Sequence, residues 1–190
     1  QVYSGRLTIN RSGSSTAPIV YTNYGTGELP EFNNAVSDII NIYSKQYIVN
    51  DGFKIIDRSI SETDHTVQAK ISYAINVENS PYCTIRNCDI SRVGVGISVT
   101  AGSNFTNIIG NYMHNMRMVR NTPVSINPDD DYGANPMVIG SMVYPPLLHI
   151  SGYNLLEQSF FAHSTQLTRP STGVVVHCQR THNHTSSFFN

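Results

Sequence analysis

Short stretches of alternating apolar and polar residues recur through the first part of the chain: Ile40-Asn41-Ile42, Ile75-Asn76-Val77 and Ile97-Ser98-Val99. Alternation with period two puts Ile and Val on one face of a strand and Asn or Ser on the other. A polar corner follows each stretch: Ser44-Lys45-Gln46, Asn79-Ser80-Pro81 or Gly102-Ser103-Asn104. Next comes a segment that opens on an aromatic residue: Tyr47–Ile55, Tyr82–Ile90 and Phe105–Met113. Its sixth position is Gly or Asn (Gly52, Asn87, Gly110) and its ninth is Ile or Met. The aromatics lie 35 and then 23 residues apart, and the longer step carries an insertion, Asp57 to Lys70, rich in Ser, Thr, Asp and Glu.

Short strands, tight corners and a repeat near 23 residues predict a solenoid of β-coils, about 20–25 residues each. Inward Ile, Val, Tyr and Phe would stack on the same positions of neighbouring coils. Asn and Gly suit the corners because both tolerate left-handed backbone geometry. Stacked Asn amides would form a ladder along the axis. An ordinary β-sandwich would instead show hairpin turns every 8–12 residues or so. At the fourth position Asn50 stands where the other segments have Ile85 and Ile108. A core-facing Asn needs partners, so a local bulge is expected there. Asp51, Arg86 and Ile109 share the fifth position, a mixed outward row.

Composition agrees with an all-β chain. Of 190 residues only 13% are charged, about half the usual share, while Asn numbers 19. The net charge of −1 excludes a basic nucleic-acid footprint. No apolar run is long enough for a membrane-spanning helix, and a monomer is expected. Three cysteines, Cys83, Cys88 and Cys178, make neither a disulfide framework nor a zinc pattern. Cys83 and Cys88 are expected as small apolar residues in or near the stack.

The entry segment carries a further likeness. Leu7-Thr8-Ile9, then Gly13 through Val20 with its Ala17-Pro18-Ile19, then Tyr24-Gly25-Thr26-Gly27, give strand, Gly/Ser turn, x-Pro-Ile strand and Tyr-Gly-x-Gly turn in order. With the aromatic and Asn/Gly register, residues 1–140 resemble the right-handed parallel β-helix proteins, the fold of pectate lyases, chondroitinase-B-like lyases and several glycoside hydrolases. The resemblance implies an extracellular or periplasmic carbohydrate-active protein, with polysaccharide as its partner. A lyase or a hydrolase acting on an acidic glycan is one expectation; a non-catalytic carbohydrate-binding or surface-adhesion solenoid is the other. The chain could also be a fragment, inactive because later coils are missing.

Beyond Gly140 the register is not legible. Of 13 acidic residues, 12 lie at or before Asp131, and five of seven His lie after residue 140. Residues 141–190 read either as a cap over the open core or as sequence from a shifted frame. His177-Cys178 and His182-Asn183-His184 lie there and read as incidental, because half of a zinc site is lacking.

The sharpest polar cluster is Asn127-Pro128-Asp129-Asp130-Asp131-Tyr132-Gly133. Asp129, Asp130 and Asp131 suit Ca²⁺, a hard cation that takes oxygen ligands, and Asp130 could join an acid/base pair. As lyases of the resembled fold pair Ca²⁺ or Arg with a proton-abstracting base, Arg117, Arg120 and His114 become catalytic candidates. Neither the R-x-P-x-x-R signature of pectate lyases nor the G-H-G motif of the related hydrolases is present. Lys70, Asp89 and Arg92, beside the insertion and the second segment, are lesser candidates, since loops on a rigid scaffold carry function.

Overall fold

The computed structural model describes residues 1–33, 37–61, 63, 69–119, 132–140, 148–151, 155–157 and 175–176. Among these residues the chain is all β, with no helix. The strands are met in rotation. β1 (Val2–Tyr3), β2 (Leu7–Thr8) and β3 (Ile19–Thr22) open three sheets, A, B and C. β4 (Glu31–Phe32), β5 (Asp38–Tyr43) and β6 (Ile48–Asp51) add one parallel strand to each. β7 (Lys54–Ile56), β8 (Tyr73–Glu78) and β9 (Thr84–Arg86) do the same. So do β10 (Asp89–Ser91), β11 (Val95–Thr100) and β12 (Thr106–Ile109).

After β13 (Tyr112–His114) the chain leaves the rotation for an antiparallel pair, β14 (Met118–Val119) with β15 (Tyr132–Gly133). β16 (Asn135–Ile139) then joins sheet B, and β17 (Leu148–Ser151), β18 (Leu155–Glu157) and β19 (Val175–Val176) extend C, A and C. Three parallel sheets visited in turn are compatible with a parallel β-helix. The remainder of segment 141–190 lies outside the described residues.

Alternation sets the register. Ile40, Ile75 and Ile97 stand opposite one another across β5, β8 and β11, as do Ile42, Val77 and Val99, and all six are fully buried or nearly so. In sheet A the matching inward row is Phe32, Ile55, Ile90 and Met113. A slip of one residue would turn each set outward, so burial fixes the pairing. Cys83 and Cys88 sit in the same core as free thiols.

The corners explain the recurring Gly and Asn. Gly52, Asn87 and Gly110 have φ of 77°, 55° and 63°, the left-handed region that Gly and Asn enter most readily. The opening aromatics are left-handed too: Tyr47, Tyr82 and Phe105 have φ of 55°, 59° and 58°. Their register is as expected but their direction is not. Tyr82 and Phe105 are both 41% exposed, so these rings form an outer stack rather than core. Tyr47 and Tyr82 are 4.9 Å apart and nearly parallel, and Tyr82 and Phe105 are 4.7 Å apart. A left-handed corner swings the side chain out of the strand's alternation, and ring stacking offsets part of the backbone cost.

Below that stack the polar corner is tied internally. Ser80 Oγ donates toward the carbonyls of Ile42 and Glu78 and accepts from the Lys45 amide; Ser103 repeats the pattern at the next corresponding corner. Asn50 differs from expectation as well. It pairs in regular register with Tyr21 and Ile85, with no bulge, and is fully buried with no hydrogen bond to Nδ2 or Oδ1.

Candidate functional site

Between β6 and β13, each C-to-A corner is two residues: Gly52–Phe53, Asn87–Cys88 and Gly110–Asn111. The A-to-B corners are where the chain departs. The insertion lies between β7 and β8, the excursion with β14 and β15 lies between β13 and β16, and the short turn Arg92–Gly94 lies between them. Because β7, β10 and β13 are neighbours in sheet A, and β8, β11 and β16 in sheet B, these three corners lie side by side.

Side chains and backbone join them. Asp57, buried at the start of the insertion, accepts from Ser59 through Oδ1 and from the Lys70 amide through Oδ2, pinching the two ends together. The Ala69 amide donates to the Met118 carbonyl at 2.7 Å, and Ile60, Ala69 and Val119 form a small separate core. Arg92 Nη1 donates to the Ile60 carbonyl at 2.9 Å. Arg117 donates through Nη2 to the Ser61 carbonyl at 3.1 Å, and through Nη1 to those of Asn115 and Met116. Arg117 is 3% exposed, so its guanidinium is engaged in holding the two excursions.

His114 lies on the adjoining outer face of sheet A. Its Nε2 is 3.1 Å from Asp89 Oδ1, and its Nδ1 is 3.1 Å from Asn115 Nδ2. Both ring nitrogens are thus engaged, Nε2 by the Asp89 carboxylate and Nδ1 by the Asn115 amide. Tyr112 stacks on the imidazole at 4.2 Å. Asn115 links the two candidates, with its side chain on His114 and its carbonyl on Arg117.

Next to this pair runs the outward row Glu31, Lys54, Asp89 and Tyr112, one residue per strand. Arg58 grips Glu31 through Nε and through Nη2 at 2.6 Å, and this hydrogen-bonded guanidinium holds the Glu31 carboxyl below the usual range despite burial. Lys54 Nζ is 3.9 Å from the same carboxylate. The row was legible: the eighth positions of the three aromatic segments are Lys54, Asp89 and Tyr112. Sequence reasoning passed over Lys54 and Tyr112 because one row of cation, anion and aromatic matches no motif.

Of the expected site residues, His114, Arg117, Asp89, Arg92 and Lys70 all fall at or beside this corner. Arg120, Asp129, Asp130 and Asp131 lie outside the described residues, in the stretch that joins Val119 to Tyr132, two residues paired across β14 and β15. His177, Cys178, His182 and His184 also lie outside them. Among the described residues no group of three His, Cys, Asp or Glu could hold a metal, and no helix is long and apolar enough to cross a membrane. Burial pushes the Cys83 and Cys88 thiols up to about 11, too high for nucleophiles near neutral pH. No family model, curated protein or solved structure matches the chain.

Proposed function

We propose that the chain is a right-handed parallel β-helix of the pectate-lyase-like kind, secreted to the cell exterior or periplasm, that acts on an acidic glycan as a lyase or glycoside hydrolase. The observation that carries this reading is the gathering of polar excursions at the A-to-B corner, beside an outer face that presents Asp89, His114, Tyr112 and Lys54. A glycan lying along the stack would meet one residue of that row per strand, about every 4.8 Å. Asp129, Asp130 and Asp131 would hold Ca²⁺, which would supply positive charge for a uronate carboxylate, and Arg120 would act beside them.

The test is incubation of the protein with a panel of uronate-containing polysaccharides, with and without Ca²⁺. Expected is either the ultraviolet absorbance of an unsaturated uronate or new reducing ends, abolished in Asp129→Ala/Asp130→Ala/Asp131→Ala. Wild-type protein that releases neither product from any acidic glycan overturns the enzymatic reading.

One observation favours the second reading, a non-catalytic carbohydrate-binding solenoid. Both ring nitrogens of His114 are occupied, by Asp89 and Asn115, so neither is open to take a substrate proton. Polysaccharide retained without turnover supports this alternative.

A further inference from the structure

We infer that Lys54 and Asp89 form a binding position for one uronic acid residue on the outer face of sheet A, with His114 as the residue that positions Asp89. The inference rests on the acidic-glycan reading above and adds to it a place and a set of contacts.

Glu31 is gripped by Arg58, so its charge is compensated without Lys54. Lys54 stands one strand away, its ammonium 3.9 Å from that carboxylate and 27% exposed. On the next strand is Asp89, opposite Lys54 in register, yet no ion pair forms between them. Asp89 gives Oδ1 to His114, while Oδ2 has no partner among the described residues; its side chain is 31% exposed. A cation and an anion thus face solvent on adjacent strands, each with spare capacity.

A ligand that satisfies both must offer an acceptor of negative charge and, a few ångströms away, a hydrogen-bond donor. A uronic acid residue does so: its carboxylate would accept from Lys54 Nζ, and a ring hydroxyl would donate to Asp89 Oδ2. A neutral sugar would leave Lys54 unanswered, and a simple anion would be repelled by Asp89. His114 keeps Oδ2 turned outward by holding Oδ1, and is itself held by Asn115 and the Tyr112 ring.

The experiment is a titration of the full chain with a 1,4-linked tetrauronide and, separately, with the neutral 1,4-linked hexose tetramer, followed by amide nuclear magnetic resonance shifts. Expected are shifts centred on Lys54 and Asp89 with the uronide, and binding about tenfold weaker in Lys54→Met and in Asp89→Asn. His114→Ala should weaken binding too. His114→Gln, whose side-chain amide can still donate to Asp89, should recover most of it, which a merely structural role would not require. Circular dichroism that matches wild type establishes that each variant is folded. Uronide binding that is unchanged in Lys54→Met and Asp89→Asn overturns the position while leaving the acidic-glycan reading standing. Equal binding of the neutral tetramer overturns the uronate assignment. No binding of the uronide to wild type overturns the position, and turnover of polymeric substrate then decides the broader reading by itself.

Discussion

Asn50 shows how one side chain can oppose an otherwise consistent row. Its neighbours in register are Tyr21 and Ile85, its exposure is nil, and neither side-chain polar atom has a partner. A buried, unpaired polar group costs about 1–3 kcal/mol. Leu branches at the same carbon as Asn and places methyl groups where Oδ1 and Nδ2 stand, so Asn50→Leu adds little strain. It should raise stability by about 1–2 kcal/mol in urea unfolding; a loss of stability would mean that the amide has a partner in solution. Glu31 illustrates the opposite case, a buried carboxylate well answered by Arg58. Its pKa in the folded chain is lowered, chiefly by that hydrogen bond, so its stabilising contribution is full above the unfolded carboxyl range and is lost as pH falls through the folded value. Glu31→Gln should therefore be less stable than wild type at pH 7, with the gap closing on acidification below about pH 4. Thermal unfolding at a series of pH values reads this directly, and a gap independent of pH would remove the ion pair as its cause.

At the scale of elements, the corners were more legible than what they carry. Gly52, Asn87 and Gly110 mark left-handed turns by residue type, and the alternation around Ile40, Ile75 and Ile97 marks one sheet. That Tyr47, Tyr82 and Phe105 stack was readable from spacing; that they stack outside the core was not, because a left-handed backbone at an aromatic residue has no sequence signature. Likewise Gly94 looked like any turn glycine. A Cβ there would lie 2.2 Å from Val119 Cγ2 and 2.8 Å from the Ser72 carbonyl oxygen, since the excursion and the end of the insertion both close over this turn. Gly94→Ala should cost about 2–3 kcal/mol. Adding Val119→Ala removes the closer of the two clashes but not the backbone one, so the double variant should recover part of the loss. A double-mutant cycle with no coupling would show that the excursion does not pack on Gly94 in solution.

For the whole molecule, the sequence pattern reaches the parallel, all-β character but not how the two long excursions are tied together. Asp89 with His114, and Arg117 with Ser61, meet only because parallel pairing brings together residues 25 and 56 positions apart. Arg117, a catalytic candidate by the resemblance, spans two excursions, its long side chain answering backbone carbonyls that the strand ladders leave over. This clasp makes a prediction that concerns no single strand. Arg58 and Lys70 bracket the insertion and are tryptic sites, while Asp57 and Arg117 hold its ends from two different coils. Releasing either hold raises the population of a locally open insertion without breaking a parallel ladder. Asp57→Asn and Arg117→Met should each speed trypsin cleavage after Arg58 or Lys70 by about tenfold, the factor expected when cleavage follows an opening equilibrium moved by about 1.4 kcal/mol. Sites in the sheets, such as Lys54 and Arg86, should be cut no faster than in wild type. Cleavage accelerated equally everywhere would mean that the two residues support the entire stack, and unchanged cleavage at Arg58 and Lys70 would mean that the insertion is held by its small core of Ile60, Ala69 and Val119 alone.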